Sequence, residues 1–238
     1  MQTVDAQSRN PRLAMGIKLG EFWSGDLGLT LLTVSLVLQV FVVTPLREAG
    51  VPWRAVLDAI IMALMLYAAI AVRQSRIDTI AVSSIVVMTA IALVVGRFHP
   101  TLLLHQLGSV LATITLLVYV RIVLVMMFRG GPVTWSRIQG GISAYLLVGM
   151  AWASAFQIVE QSRPGSFHFV TAPTNFDELI SKLTYFSFCT LTTVGSEVVP
   201  FSPIARSLTI AEAVIGQLFP AILIGALVAM AMQSRTKA

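Results

Sequence analysis

The sequence predicts an all-α membrane protein with six transmembrane helices, and three observations lead there. Of the 238 residues, 56% are hydrophobic and only 11% are charged, whereas a soluble domain carries about 25% charged residues. The mean hydropathy is +0.84. The apolar residues fall into separate runs, each near the ~20 residues that a helix needs to cross the hydrocarbon. A water-soluble globule is excluded because there is too little charge to coat its surface; disordered, collagenous and disulfide-stapled classes are excluded with it. Cys189 is the single cysteine, so no intrachain disulfide or CxxC pair can form, and it reads as a small buried packing residue. The formal charge of +5 does not point to nucleic acid, since Lys and Arg are scattered singly. In a membrane protein such residues flank helices on the cytoplasmic side.

Taken in order, residues 1–26 form a polar cytoplasmic tail. The first span is 27–44, closed by Pro45 and Arg47. The second is 55–72, closed by Arg73 and Arg76, with Asp58 one turn after Arg54 and able to pair with it. The third is 80–96, ending at Arg97 and Pro100, and the fourth is 101–128. A voltage sensor needs several arginines at every third position, because one charge in 100 mV is worth only about 2.3 kcal/mol. The fourth span offers Arg121 alone, placed roughly 30 Å from Thr101 at 1.5 Å rise per residue, where snorkelling to the inner interface explains it. Residues 27–128 therefore read as a four-helix domain without an arginine ladder. His105 has no paired acid nearby in sequence and reads as a packing histidine rather than a proton sensor. His99 and His168 fall in outer loops.

Arg129-Gly130-Gly131-Pro132 breaks the helical pattern and opens a linker, 129–140. A second domain, 141–232, comes next: a fifth span at 142–159, a long loop at 161–175, a short helix at 177–191, an irregular stretch at 192–197 and a final helix at 207–232. Residues 233–238 form a tail. The first apolar run lies too far in for a cleavable signal peptide. With the N-terminus inside, the inner segments collect Arg9, Arg12, Lys18, Arg73, Arg76, Arg129, Arg137, Arg235 and Lys237, while Glu48, Glu160, Asp177, Glu178 and Glu197 lie outside. This bias places both termini in the cytoplasm.

The stretch between the last two spans is too short to cross twice. Asn175 can cap its helix, and Glu178, three residues on, can complete a capping box. From Leu179 the segment is apolar enough to enter the membrane; at Thr192 it turns to Thr-Thr-Val-Gly-Ser-Glu-Val-Val-Pro200, which is not helical. Such backbone at membrane depth is tolerated only when buried in protein or lining a water-filled cavity. A half-helix leading into this segment is a pore or binding-site element.

Tyr185-Phe-Ser-Phe-Cys-Thr-Leu-Thr-Thr-Val-Gly195 resembles the pore helix and filter entry of the potassium channel superfamily. Val199-Pro-Phe-Ser-Pro-Ile-Ala-Arg-Ser-Leu208 resembles the stretch just past the filter in that family, and Ala211-Glu-Ala-Val-Ile-Gly-Gln217 the start of its inner helix. The resemblance implies a homotetramer in a bacterial inner (plasma) membrane, with one re-entrant pore helix and filter loop per subunit. No enzymatic activity or cofactor is implied. The filter would comprise Thr192, Thr193, Val194, Gly195, Ser196 and Glu197. Thr193, Val194 and Gly195 match the first three positions of Thr-Val-Gly-Tyr-Gly and would hold K⁺ or Na⁺. The family's run from filter glycine to proline is Gly-Tyr-Gly-Asp-x-Val-Pro; here Gly195-Ser-Glu-Val-Val-Pro200 is one residue shorter. Filters use glycine where alternate residues need positive φ, and neither Ser196 nor Glu197 suits that task. One residue of extended chain spans about 3.3 Å, so roughly one carbonyl layer is lost. Potassium or mixed monovalent conduction through an altered outer half is expected.

Glu197 has two readings: a ring of carboxylates at the outer mouth, attractive to divalent ions as well, or a brace behind the filter in place of the family's Asp. Gly216 and Pro220 lie on one turn of the last helix, since Pro220 cannot bond the carbonyl of Gly216. They form a gate hinge or a static kink. Gly225 reads as a close-packing residue, and Glu212 as bonded to the pore-helix region. A secondary transporter built on a broken helix is disfavoured because the two halves hold no matching pair of interrupted helices. An intramembrane enzyme lacks any Ser–His, paired-Asp or HExxH constellation. A non-conducting, regulatory channel-like subunit is the alternative suggested by the short filter.

Overall fold

A computed structural model describes residues 28–49, 101–128 and 134–236, together with single helical positions between 56 and 95. Most of the expected second and third spans, the N-terminal tail, residues 129–133 and residues 237–238 lie outside the described residues; 233–236 of the expected C-terminal tail continue the last helix. The described residues contain helices α1 (Gly28–Glu48), α2 (Leu102–Met127), α3 (Trp135–Ser162), α4 (Phe176–Leu191) and α5 (Pro203–Thr236). All of these except α4 are long and apolar enough to cross a membrane.

The first helix does not end at Pro45 as expected but continues to Glu48. Proline lacks an N–H and its ring crowds the carbonyl four residues back. A wide π turn at Gln39–Val43 precedes it, and the Thr44 hydroxyl donates to the Gln39 carbonyl at 2.9 Å, so the chain absorbs the proline without stopping. Leu29, Leu32 and Leu36 share one face of α1 and are buried with Leu116, Tyr119 and Val123 of α2 and Ala144, Leu147 and Ala151 of α3. Spacings of three, four and seven residues put each set on one side of its helix.

Between α2 and α3 the contact turns polar. The Thr113 hydroxyl lies 2.8 Å from the Ser109 carbonyl and 2.9 Å from Ser154 Oγ, and Gln161 Nε2 donates to Ser109 Oγ at 3.0 Å. Small hydroxyl residues let helices approach closely and tie them together where no water competes. From the third span, Thr89 bonds Thr115 of α2 at 2.9 Å. His105 packs its ring on Phe176 of α4, with centroids 4.1 Å apart. Arg121 is exposed near the end of α2.

Two helix starts differ from expectation. The linker expected over 129–140 is helical from Trp135, where α3 begins, and Gly140 and Gly141 lie inside that helix. A Cβ on Gly141 would come within 2.6 Å of the Leu223 side chain of α5, so this glycine is where the two long helices touch. Helix α5 begins at Pro203 rather than 207, because the Ser202 hydroxyl accepts from the Ala205 amide at 3.2 Å and proline suits the first helical position.

The expected loop 161–175 holds a two-residue strand, β1 (Phe167–His168), which pairs antiparallel with β2 (Val199–Pro200), Phe167 opposite Pro200. Behind this ribbon sits a second core of Phe156, Phe167, Leu183, Phe186, Val198 and Ala205. Its three phenylalanines meet edge to face, with centroids 5.1–5.4 Å apart, a geometry their ring quadrupoles favour.

Candidate functional site: the segment after helix α4

Helix α4 starts where the sequence places it. Asn175 Oδ1 accepts from the Glu178 amide at 2.9 Å. The capping box is not reciprocal, however: Glu178 Oε2 turns to the amide and hydroxyl of Thr174, both at 2.8 Å, and its other oxygen pairs with Lys182 at 2.9 Å. The Thr174 amide first, then Lys182, hold the Glu178 carboxyl down at about 2, against an ordinary 4.5.

At the other end the chain leaves the helix in a defined way. The amides of Thr192 and Thr193 donate to the carbonyls of Phe188 and Thr190, each at 3.0 Å. Those of Val194 and Gly195 both reach back to Cys189 O, at 2.9 and 3.4 Å. A helix C-terminus has four unsatisfied carbonyls, and this turn satisfies three of them with the next four amides. Thr193 has φ +59° and Gly195 φ +87°. Positive φ therefore recurs two residues apart, and between them the Val194 side chain is 80% exposed. The alternation stops at Gly195, for Thr193 is the sole non-glycine with positive φ among the described residues.

Beyond Gly195, the Ser196 hydroxyl accepts from the Val198 amide at 3.2 Å and lies 3.3 Å from the Val198 carbonyl. This tight turn brings buried Val198 into the phenylalanine core. The Phe201 amide donates to the Ser166 carbonyl at 2.8 Å. Glu160 at the end of α3 accepts from the amides of Gly165 and Phe167, both at 2.9 Å, fixing the strand against which β2 pairs. Glu197 is exposed.

Three contacts hold the segment; sequence reasoning missed the first two and anticipated the third, in which Glu212 bonds the short helix as expected. Gln217 Nε2 of α5 donates to Thr193 Oγ1 at 3.1 Å, and that hydroxyl donates to the Thr192 carbonyl at 2.7 Å. The Tyr145 hydroxyl of α3 donates to the Leu191 carbonyl at 3.3 Å. Ser187 of α4 bonds both Gly149 O and Glu212 Oε1. No spacing rule links these residues, since the partners lie 24, 46 and 25 to 38 positions apart.

Gly216 has a reason of its own. A Cβ there would sit 2.1 Å from the Leu191 carbonyl oxygen, well inside contact distance, so α5 meets the end of α4 backbone to backbone. Helix α5 runs on through Pro220. Gly225, expected to serve helix packing, faces open space within the single chain.

The segment unwinds from a short helix and is braced by two long apolar helices. Residues 144–233 match the family model described as ion channel, which supports the resemblance of this part of the chain to a potassium channel pore domain. The match begins within α3 and ends within α5. The match and the four long apolar helices indicate a membrane protein, and the matched family is one of ion channels, not of enzymes. No curated protein and no solved structure matches it. Among the described residues, no group of three or more His, Cys, Asp or Glu could hold a metal ion.

Proposed function

We propose that four copies of the chain surround a pore in a bacterial inner membrane and conduct potassium or mixed monovalent cations through residues 192–197. In this reading α4 is the re-entrant pore helix, α3 the outer helix and α5 the inner helix of a pore domain spanning 141–232. The four preceding spans, 27–128, form a separate domain without an arginine ladder, and both termini are cytoplasmic.

The observation that carries the proposal is the backbone of Thr193–Gly195. Its amides are drawn back to the carbonyls of α4, and positive φ at Thr193 and Gly195 alternates with Val194. Alternation of this kind turns successive carbonyls toward one side, and a ring of such carbonyls can replace an ion's hydration shell. Thr193, held by Gln217, supplies the inner end of that ring. Where the family continues with Tyr-Gly, Ser196 closes a turn on Val198, so the outer layers are rebuilt as a wider vestibule and selectivity among monovalent cations falls. Glu197 is exposed and, among the described residues, hydrogen-bonded to nothing, which supports the carboxylate ring over the brace.

Replacing Ser196 by Tyr-Gly is expected to raise potassium preference over sodium, read as a shift in reversal potential under bi-ionic gradients. An unchanged reversal potential contradicts the assignment of 193–195 to the filter. Glu197→Gln is expected to lower single-channel conductance at low salt and to lose that effect at high salt, where surface charge is screened within a few ångströms. Equal conductance at low salt contradicts the ring.

A further inference from the structure

Glu212 is fully buried on the inner face of α5, and Ser187 on α4 is fully buried against it. Ser187 Oγ lies 2.5 Å from Glu212 Oε1 and 2.7 Å from the carbonyl oxygen of Gly149 on α3. Both separations are hydrogen-bond distances, so each requires a proton between its oxygens. A serine hydroxyl carries one proton and a backbone carbonyl none. If that proton points to Gly149, the contact with Glu212 has a proton only when the carboxyl supplies it. If it points to an ionised Glu212, the Gly149 carbonyl faces bare lone pairs at 2.7 Å.

The surroundings agree with the count. Among the described residues Glu212 Oε2 is buried with no hydrogen-bond partner; leaving one oxygen of a neutral acid unpaired is far cheaper than burying a carboxylate with a single bond. The titratable group facing it from α3 is Tyr145, whose hydroxyl is directed at the Leu191 carbonyl. From α4 the facing group is Ser187.

We propose that Glu212 is a neutral carboxylic acid and a positioning residue: its proton goes to Ser187 Oγ, and the Ser187 proton goes to the Gly149 carbonyl. This relay joins α5, α4 and α3 in one line and sets the height of α4 behind Thr192–Gly195. Its role in conduction rests on the proposed function; its protonation does not.

The test is infrared spectroscopy of the full chain in lipid vesicles at neutral pH. The difference between wild type and Glu212→Gln is expected to contain a protonated-carboxyl C=O stretch that the variant loses. Ser187→Ala removes the acceptor of the acid's proton, and the same band is expected to shift to higher frequency. A Glu212→Gln difference showing carboxylate stretches instead, or a band indifferent to Ser187→Ala, overturns the proposal. Should Glu212→Gln not fold, the Ser187→Ala shift decides alone. In recordings, Glu212→Gln, whose amide can donate to Ser187, is expected to retain current that Glu212→Ala loses. Equal loss in both variants overturns the positioning role while leaving the spectroscopic result intact.

Discussion

Single residues near the end of α4 act mainly through what their backbone permits. Gly195 was legible from the sequence, because a glycine after Thr-Val in a membrane segment signals positive φ, and it has φ +87°. Gly216 was legible as a special position but not for its reason: the expected hinge is the point where α5 touches the Leu191 carbonyl. Gly216→Ala places a methyl 2.1 Å from that oxygen, and is expected to destabilise the assembly by about 1–3 kcal/mol or more, measured as a lower melting temperature in detergent. An unchanged melting temperature contradicts the contact. Glu178 gives a pH dependence with a defined sign. Its carboxyl is held at about 2, below the ordinary 4.5, so its stabilisation of the α4 start is full above 4.5 and is lost as pH falls toward 2. Amide exchange at Glu178 and its neighbours is expected to quicken across that window in wild type, and Glu178→Gln is expected to abolish the dependence.

At the level of elements, four of the spans and the short helix could be read because hydrophobic run length and the Asn175 cap are local signals. The ends were misplaced where a local breaker has a tertiary answer. Pro45 is absorbed by a π turn, and Gly141 is retained inside α3 because Leu223 of α5 fills the space beside it. The β1–β2 ribbon was invisible, as two-residue strands have no periodicity, and its register comes from Glu160 and Ser166 bonding the turn amides. The phenylalanine core under that ribbon holds the outer end of the candidate filter. Phe186 is 3% exposed between Phe156 and Phe167, and Phe186→Ala is expected to cost about 3–5 kcal/mol. A melting curve of the purified assembly reads that loss. Selectivity should be lost along with stability, because Val198 leaves its seat in the same core.

For the whole molecule, α5 presents an apolar surface that the described residues barely cover. Ile210, Val214, Leu218 and Ile222 are each more than half exposed, and the helix's apolar window is 6% buried. In the proposed ring of copies this face is covered by neighbouring subunits and lipid, and the backbone of Thr193–Gly195 becomes the wall of a pore. The decisive measurement is the reversal potential of unitary currents from purified protein in a planar bilayer under a potassium chloride gradient. The account predicts discrete current steps that reverse near the potassium equilibrium potential. Steps reversing near the chloride potential, or reconstituted protein that passes no unitary current, would contradict it.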